Sequence, residues 1–190
     1  MAAHTQKHLF LFGQKHAGKS TVGRRLAEQL EVAFLDLDDL IVELANATLT
    51  PPAEDARAVY LRHGAAGFRD LEAEAARKLS DRLAVAPPTV CALGGGTVQN
   101  DSAHAALEGL GYFVYLYLDT EELYRRISRT GRPAFLTSDD PKREFERIAA
   151  KRDSVYRRRA DVVVDLGTAG PGEAAEILEK HVGEYGFGRQ

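Results

Sequence analysis

The eight residues from Gly13 to Ser20 limit what this chain can fold into more than any other stretch. They read Gly-Gln-Lys-His-Ala-Gly-Lys-Ser and fit the pattern G-x-x-x-x-G-K-[ST]. The apolar run His8 to Phe12 precedes them, and Thr21 to Leu30 follows with apolar residues at helical spacing. A strand, a glycine-rich loop and a helix in this order form a phosphate-binding loop, because loop N–H groups and the helix N-terminus point at one anion. The pattern predicts that Lys19 bridges the terminal phosphates of a nucleotide and that Ser20 binds Mg²⁺.

Composition and charge favour one α/β domain that acts on a small molecule. With 190 residues and 44% hydrophobic content, the chain can bury one sizeable core. Its 25 Lys and Arg residues against 28 Asp and Glu residues give a net charge of -3, which suits neither nucleic acid nor an anionic membrane. The apolar runs are too short to cross a bilayer and residues 1–7 lack the apolar part of a signal peptide, so we expect a cytoplasmic protein. The single cysteine, Cys91, is expected to be a reduced thiol in a buried strand.

Two aspartates follow the second predicted strand, which runs from Glu31 to Leu35. Asp36 and Asp38 are two residues apart, so in extended chain both carboxylates share a face at the end of the sheet where ligands bind. One can hold Mg²⁺ through water while the other accepts a hydroxyl proton, and phosphoryl transfer requires both. The simpler alternative is that Asp38 or Asp39 caps a helix from Leu40 to Ala45.

Two arginines stand where a cation needs an anionic partner. Arg69 lies in the first turn of a helix predicted from about Ala66 to Leu83, where it opposes the helix dipole. Glu72 can pair with it, or Arg69 is a solvated surface residue. Arg152 falls on the apolar stripe of a helix predicted from Lys142 to Arg158, so it should meet a carboxylate from the protein or from a ligand.

Three loops complete the pattern. Gly94, Gly95 and Gly96 follow a buried strand and let a ligand approach the main chain closely, although a plain loop is the alternative. An arginine cluster that ends in Arg132-Pro133 is typical of a mobile lid over a triphosphate, or of a basic helix end. Thr48 to Arg57 contains two prolines and is predicted to be an exposed connector.

These residues together resemble the shikimate kinases, P-loop enzymes that phosphorylate the 3-hydroxyl of shikimate with ATP. The resemblance covers nearly the whole chain. Its motifs, in the family's order, are the phosphate loop, Asp36-x-Asp38, Gly64-Ala65-Ala66-Gly67-Phe68-Arg69-x-x-Glu72, Gly94-Gly95-Gly96, Arg132-Pro133, and Arg152-x-x-x-Tyr156 followed by Ala160-Asp161. The resemblance implies a three-layer α/β P-loop kinase fold whose five parallel strands lie in the order 2-3-1-4-5 between helices. It also implies a single domain, residues 1–190, with a substrate-binding subdomain at about 38–70 and a lid at about 129–141.

The resemblance implies a role for each matching residue. Asp38 would act as the catalytic base, and Lys19 and Arg132 would stabilise charge on the transferred phosphoryl group. Ser20 and Asp36 would hold Mg²⁺. The residues that would bind shikimate are Asp38, Arg69, Gly94, Gly95, Gly96 and Arg152. Those that would bind ATP are Gly13, Lys15, Ala17, Gly18, Lys19, Ser20, Thr21, Arg126, Arg132 and Pro171.

The chain departs from the family pattern at several positions. Ala65 stands where the family usually has Glu, and His16 stands where its phosphate loop usually has Gly. Ala134-Phe135-Leu136 follows Pro133 in place of Leu-Leu, the connector is longer and the lid is a little shorter. These differences concern substrate fit and lid motion more than phosphate chemistry.

The predicted activity is ATP-dependent phosphorylation of shikimate, a step towards chorismate and the aromatic amino acids, by a monomeric enzyme that uses Mg²⁺. Two alternatives stay open. One is a related kinase that acts on another hydroxy acid, which Ala65 and the enlarged connector would suit. The other is a regulatory homologue that binds nucleotide but does not transfer phosphate.

Overall fold

Five parallel strands form the centre of the protein in the order β2-β3-β1-β4-β5. This is a computed structural model, and it describes residues 8–129, 139–184 and 187. Each pair of neighbouring strands is parallel, which confirms the predicted fold class and strand order. The strands are β1 (His8–Phe12), β2 (Ala33–Asp36), β3 (Thr89–Ala92), β4 (Gly111–Tyr117) and β5 (Val162–Asp165).

Helices cover both faces of this sheet. They are α1 (Lys19–Gln29), α2 (Leu37–Asn46), α3 (Ala56–Leu83), α4 (Asp101–Leu107), α5 (Thr120–Arg129), α6 (Pro141–Arg159) and α7 (Pro171–Gly183), with a short 3₁₀ helix at Thr97–Gln99. The central strand β1 is buried on both sides, because its alternate residues face different layers. Leu9 and Leu11 pack on the layer that contains α1 and α7, whereas Phe10 and Phe12 pack on the layer that contains α2, α3 and α4.

The start of α2 corrects the prediction for the two aspartates. Asp36 is the last residue of β2 and also the N-cap of α2, and its side chain accepts a hydrogen bond from Asp38 N. Asp38 therefore lies in the first turn of a helix and not in extended chain, so the predicted shared strand face is wrong. The predicted cap was also wrong, because Asp36 takes that position instead of Asp38 or Asp39.

The connector before α3 is only partly exposed. Its Ala53 is 4% exposed, and the Asn46 side chain holds both main-chain groups of that residue: Nδ2 donates to Ala53 O (3.0 Å) and Oδ1 accepts from Ala53 N (2.7 Å). We call this pair of bonds the Asn46 clasp. Helix α3 then breaks at Gly64, whose φ of 68° and ψ of -178° are not helical. The break separates the segment before Gly64 from the long helix that the sequence predicted.

Cys91 is fully buried in β3, and burial raises the pKa of its thiol to about 12. The prediction of a buried thiol is therefore confirmed. Among the residues that the structure describes, no helix is both long enough and apolar enough to cross a membrane.

Two buried histidines predict a loss of stability in mild acid. Burial lowers the pKa of His8, which bonds Leu83 O (3.1 Å), and also of His104, which stacks on Phe113 with 4.5 Å between ring centroids. Because the unfolded chain then binds protons at a higher pH than the folded chain, stability is full above a pH of about 6.5 and falls below it. The loss should be at most about 1.4 kcal/mol per histidine for each pH unit.

Urea unfolding at pH 7.5 and pH 5.5 tests this expectation. His8→Gln and His104→Gln should each reduce the difference in unfolding free energy between the two pH values. An equal difference in the wild type and in both variants would show that these rings do not bind protons on unfolding.

Candidate active site

The phosphate loop is built at the carboxyl end of β1, where two glycines set its path. Gly13 has a φ of 154°, and a Cβ on it would lie 2.7 Å from Leu116 O in β4. Gly18 has a φ of 89° and is the N-cap of α1. Both conformations favour glycine, so the two glycines of the motif are explained by the backbone itself. His16 also has a positive φ, 66°. Histidine therefore adopts a left-handed conformation here, which glycine, the residue usual in the family at this position, adopts more easily.

Lys19, the first residue of α1, folds its side chain back over this loop. Its Nζ donates to Gly13 O (3.3 Å) and to Gln14 O (3.1 Å). Burial lowers the pKa of Lys19, and the charges of Asp38 and Asp36 oppose that shift. The ammonium group therefore lies near both carboxylates. A terminal phosphate bound by the loop would be within its reach.

Ser20 and Asp36 bring two side-chain oxygen atoms together at the start of α1. Ser20 Oγ donates to Asp36 Oδ2 at 2.6 Å, so a hydroxyl from α1 meets a carboxylate from the end of β2. Within the described ranges, no group of three His, Cys, Asp or Glu side chains could hold a metal ion. Mg²⁺ usually takes one or two protein carboxylates together with phosphate oxygens and water, so these two residues fit a magnesium–nucleotide complex.

Asp38 lies against the Gly94 turn, the segment Gly94–Gly96 after β3. A Cβ on Gly94 would be 3.2 Å from Asp38 Oδ1, which places the carboxyl group directly beside the turn. Burial, and next the charge of Asp36, raise the pKa of Asp38 to about 6, while Lys19 opposes the shift. A carboxylate with raised proton affinity suits a general base that works near neutral pH.

Glu72 also lies beside this turn, and a Cβ on Gly94 would be 3.5 Å from its Oε1. This side chain is 3% exposed; Thr97 Oγ1 donates to its Oε1 (2.8 Å) and Asn100 Nδ2 donates to its Oε2 (2.9 Å). Both oxygens are therefore satisfied without a cation, and the described residues include no cation within 4.0 Å of Glu72. The predicted pairing of Glu72 with Arg69 is wrong.

Arg69 instead bonds the loop that follows the turn. Its Nη2 donates to Gln99 O (3.3 Å), and its own main-chain oxygen accepts from Asn100 Nδ2 (2.9 Å). The side chain is exposed to solvent. These bonds hold the arginine at the edge of the Gly94 turn with most of its donors free for a ligand.

Arg152 approaches the turn from α6. It is half-buried, and it lies close enough to Lys19 for the repulsion of the two cations to lower the pKa of that lysine. One helical turn further on, the Tyr156 hydroxyl donates to Gly95 O. In the described part of the chain, no carboxylate lies within 4.0 Å of the Arg152 guanidinium, so the anion expected from its apolar stripe does not come from these residues.

Two more of the residues assigned to ATP lie together, away from the turn. Arg126 Nε donates to Glu122 Oε1 (2.7 Å), and its Nη2 donates to Ala169 O (3.3 Å). Pro171 begins α7 two residues after Ala169.

The other residues assigned to ATP lie on the phosphate loop and the first turn of α1. Lys15 and Thr21 are exposed there, and Ala17 is buried. Arg132 and most of the proposed lid lie outside the described residues.

Sequence reasoning missed Thr97 and Asn100. The position of Glu72 could have predicted them, because Glu72 falls on the buried side of α3 between Phe68 and Ala76. A buried carboxylate requires donors. The position of Glu72 therefore predicts polar side chains opposite it, just as the position of Arg152 predicts an anion.

Comparison with known proteins identifies the family. The family model for shikimate kinase matches residues 15–182. The chain belongs to the shikimate kinase family. Among curated relatives, the shikimate kinase of Francisella tularensis subsp. holarctica is 34% identical over 163 residues, which is 86% of this chain and 87% of that protein. The shikimate kinase of Francisella philomiragia is 33% identical with the same coverage.

Solved structures agree with the family assignment. The shikimate kinase from Acinetobacter baumannii in complex with shikimate superimposes with a TM-score of 0.76, with 28% identity and 95% of each chain covered. A gluconokinase from Sinorhizobium meliloti gives a TM-score of 0.55 at 17% identity over 98% of this chain and 99% of that one, which shows a common fold alone.

Proposed function

We propose that this protein transfers the terminal phosphoryl group of ATP to the 3-hydroxyl of shikimate. The observation that carries the proposal is the meeting of two sites at the Gly94 turn. A Cβ on Gly95 would lie 3.4 Å from Gly13 O in the phosphate loop, and one on Gly94 would lie 3.2 Å from the carboxyl group of Asp38. The loop that would bind the phosphate donor and the carboxyl group that would accept the proton therefore lie against the same turn.

The nucleotide would bind along the phosphate loop. Loop N–H groups and Lys19 would surround the phosphates, and Arg126 and Pro171 would lie near the adenine ring. Arg132 would stabilise charge on the transferred group. Ser20 and Asp36 would hold Mg²⁺, Asp36 through water, and the ion supplies positive charge to the phosphates. The bond from Ser20 to Asp36 supports this assignment, since it already brings the two oxygens together.

The acid would bind on the other side of the Gly94 turn. Arg69 and Arg152 hold its carboxylate, and the main chain of Gly94, Gly95 and Gly96 contacts its ring. The carboxyl group of Asp38 then accepts the proton of the attacking hydroxyl. Because the pKa of Asp38 is about 6, the group is mostly ionised above neutral pH and still basic enough to accept that proton.

One assay tests the proposal. Purified protein with Mg²⁺ and ATP should form ADP when shikimate is added, and ³¹P NMR should show one phosphomonoester on the acid. A panel of other hydroxy acids should react far more slowly. A faster member of that panel would support the related-kinase alternative that Ala65 suggests, and binding of both ligands without product would support the regulatory one.

We also propose a single domain for residues 1–190, with a substrate-binding subdomain at about 38–70 and a lid at about 129–141. The enzyme would act as a monomer in the cytoplasm. Light scattering in the presence of both substrates tests the oligomeric state.

The crowded surroundings of Gly94 give a prediction of their own. A methyl group there would lie 3.0 Å from Thr97 Oγ1 and 3.2 Å from Asp38 Oδ1, which is closer than side chains normally allow. Gly94→Ala should therefore displace Asp38 and lower kcat by about tenfold or more, since misplacement by a fraction of an ångström is costly in catalysis. Steady-state kinetics with saturating shikimate measures the effect.

Gly183→Ala is the matched control. Apart from its chain neighbours and the backbone of α7 itself, no atom of the described residues lies within 4 Å of the position that its Cβ would take. Its kcat should equal that of the wild type. Equal rates in both variants would mean that Asp38 does not depend on the space beside Gly94.

A further inference from the structure

Gln14 is a residue of the phosphate loop whose side chain bonds to helix α6. Its main-chain oxygen accepts from Lys19 Nζ (3.1 Å) and from Ala17 N (3.2 Å). Its side chain is buried, and Nε2 donates to Ala149 O in α6 at 3.1 Å. The bond joins residues 135 positions apart, so it ties a helix late in the chain to the loop at its beginning.

A second bond ties α6 to the Gly94 turn. The Tyr156 hydroxyl donates to Gly95 O, and the tyrosine ring is fully buried. Ala149, Arg152 and Tyr156 are separated by three and then four residues, so they share one face of the helix. Arg152 thus lies between the two anchor points.

Arg152 requires such anchors because local charges do not hold it in place. The nearby ammonium group of Lys19 repels it, and the described residues offer no carboxylate within ion-pair distance. The position of the guanidinium before an acid binds is therefore set by the backbone of α6. A long side chain on a helix that can shift would have to be ordered again at each binding event, at a cost in affinity.

We propose that Gln14 is a positioning residue that holds Arg152 in place for the substrate carboxylate through its bond to Ala149. This inference rests on the proposed function, because it assigns the same acid to Arg152. A residue of the phosphate loop would thus also contribute to binding of the acid. Loss of the bond would remove the anchor on the N-terminal side of Arg152 and leave those at Asp153, which accepts from the Tyr115 hydroxyl (3.0 Å), and at Tyr156. Arg152 would then become less well ordered.

Gln14→Met tests the proposal, because methionine has a similar length and no donor. We expect kcat/KM for shikimate to fall about fivefold, the equivalent of one hydrogen bond, mainly through a higher KM for shikimate. Kinetics with either substrate varied should show a smaller change in KM for ATP. Thr89→Val is the matched control, since it removes a bond from another buried side chain to a main-chain oxygen, Pro87 O (2.8 Å), at the start of β3 and so at the opposite end of that strand from the Gly94 turn.

A double-mutant cycle separates positioning from general destabilisation. In an Arg152→Gln background, Gln14→Met should lower kcat/KM for shikimate by less than about twofold, because the residue that it positions is gone. If Gln14→Met lowers kcat/KM for shikimate by the full fivefold in that background, or has no effect in the wild-type background, Gln14 does not position Arg152. Either result leaves the proposed function intact. Wild-type protein that neither binds nor phosphorylates shikimate overturns the proposed function and this inference with it.

Discussion

Replacing Asp38 by asparagine should lower kcat by about a thousandfold and leave ATP affinity within about twofold. The amide has nearly the same shape as the carboxyl group and still fits beside Gly94, but it cannot accept the proton of the attacking hydroxyl. A positioned general base contributes roughly a hundredfold to ten-thousandfold to a rate. The ADP-release assay measures kcat, and titration calorimetry with a non-hydrolysable ATP analogue measures nucleotide affinity.

Asp39→Asn provides the matched control. Asp39 is the next residue of α2, but its side chain is 77% exposed and lies 4.0 Å from Arg24. Removing its charge should leave kcat unchanged. An Asp38→Asn protein with more than about a tenth of wild-type kcat would exclude Asp38 as the base.

Replacing Arg152 by glutamine should raise KM for shikimate by about a hundredfold. The guanidinium is proposed to bind the substrate carboxylate, and truncation of one partner of a charged, partly buried pair typically costs about 2–5 kcal/mol. KM for ATP should change much less, because Lys19 and the loop remain. Folding stability should not decrease, since the variant removes a cation that lies near Lys19 without a carboxylate partner among the described residues.

Arg158→Gln is the corresponding control on the same helix. Arg158 is exposed, two residues beyond Tyr156. Its loss should change neither KM. Thermal unfolding of all three proteins completes the test: a large fall in the melting temperature of Arg152→Gln would show that the arginine is structural, and an unchanged KM for shikimate would remove it from the acid site.

The sequence was sufficient for the features that depend on local pattern. The phosphate loop between β1 and α1 follows from glycine spacing and from the apolar periodicity on each side. The strand order came from the family resemblance, and the sheet confirms it. Burial of Cys91 followed from its place in an apolar strand.

Errors arose where a tertiary contact decided between local alternatives. Asp36 can end a strand or cap a helix, and the structure uses it for both, so that Asp38 enters α2 and reaches Gly94. Glu72 and Arg69 are suitably spaced for an ion pair, but Thr97 and Asn100 satisfy the carboxylate first. The bond from Gln14 to Ala149 joins segments too distant for any local pattern to reveal.

The Asn46 clasp has a consequence for how the protein can vary. Because one amide holds both main-chain groups of Ala53, the two ends of the stretch between them stay at a fixed separation whatever its length. Extra residues placed near Pro51 and Pro52 would add only a slowly growing closure entropy. Asp38, eight residues earlier on the same helix, would not move. The segment is thus a natural insertion point, where a reporter peptide could be added without altering the chemistry next to it.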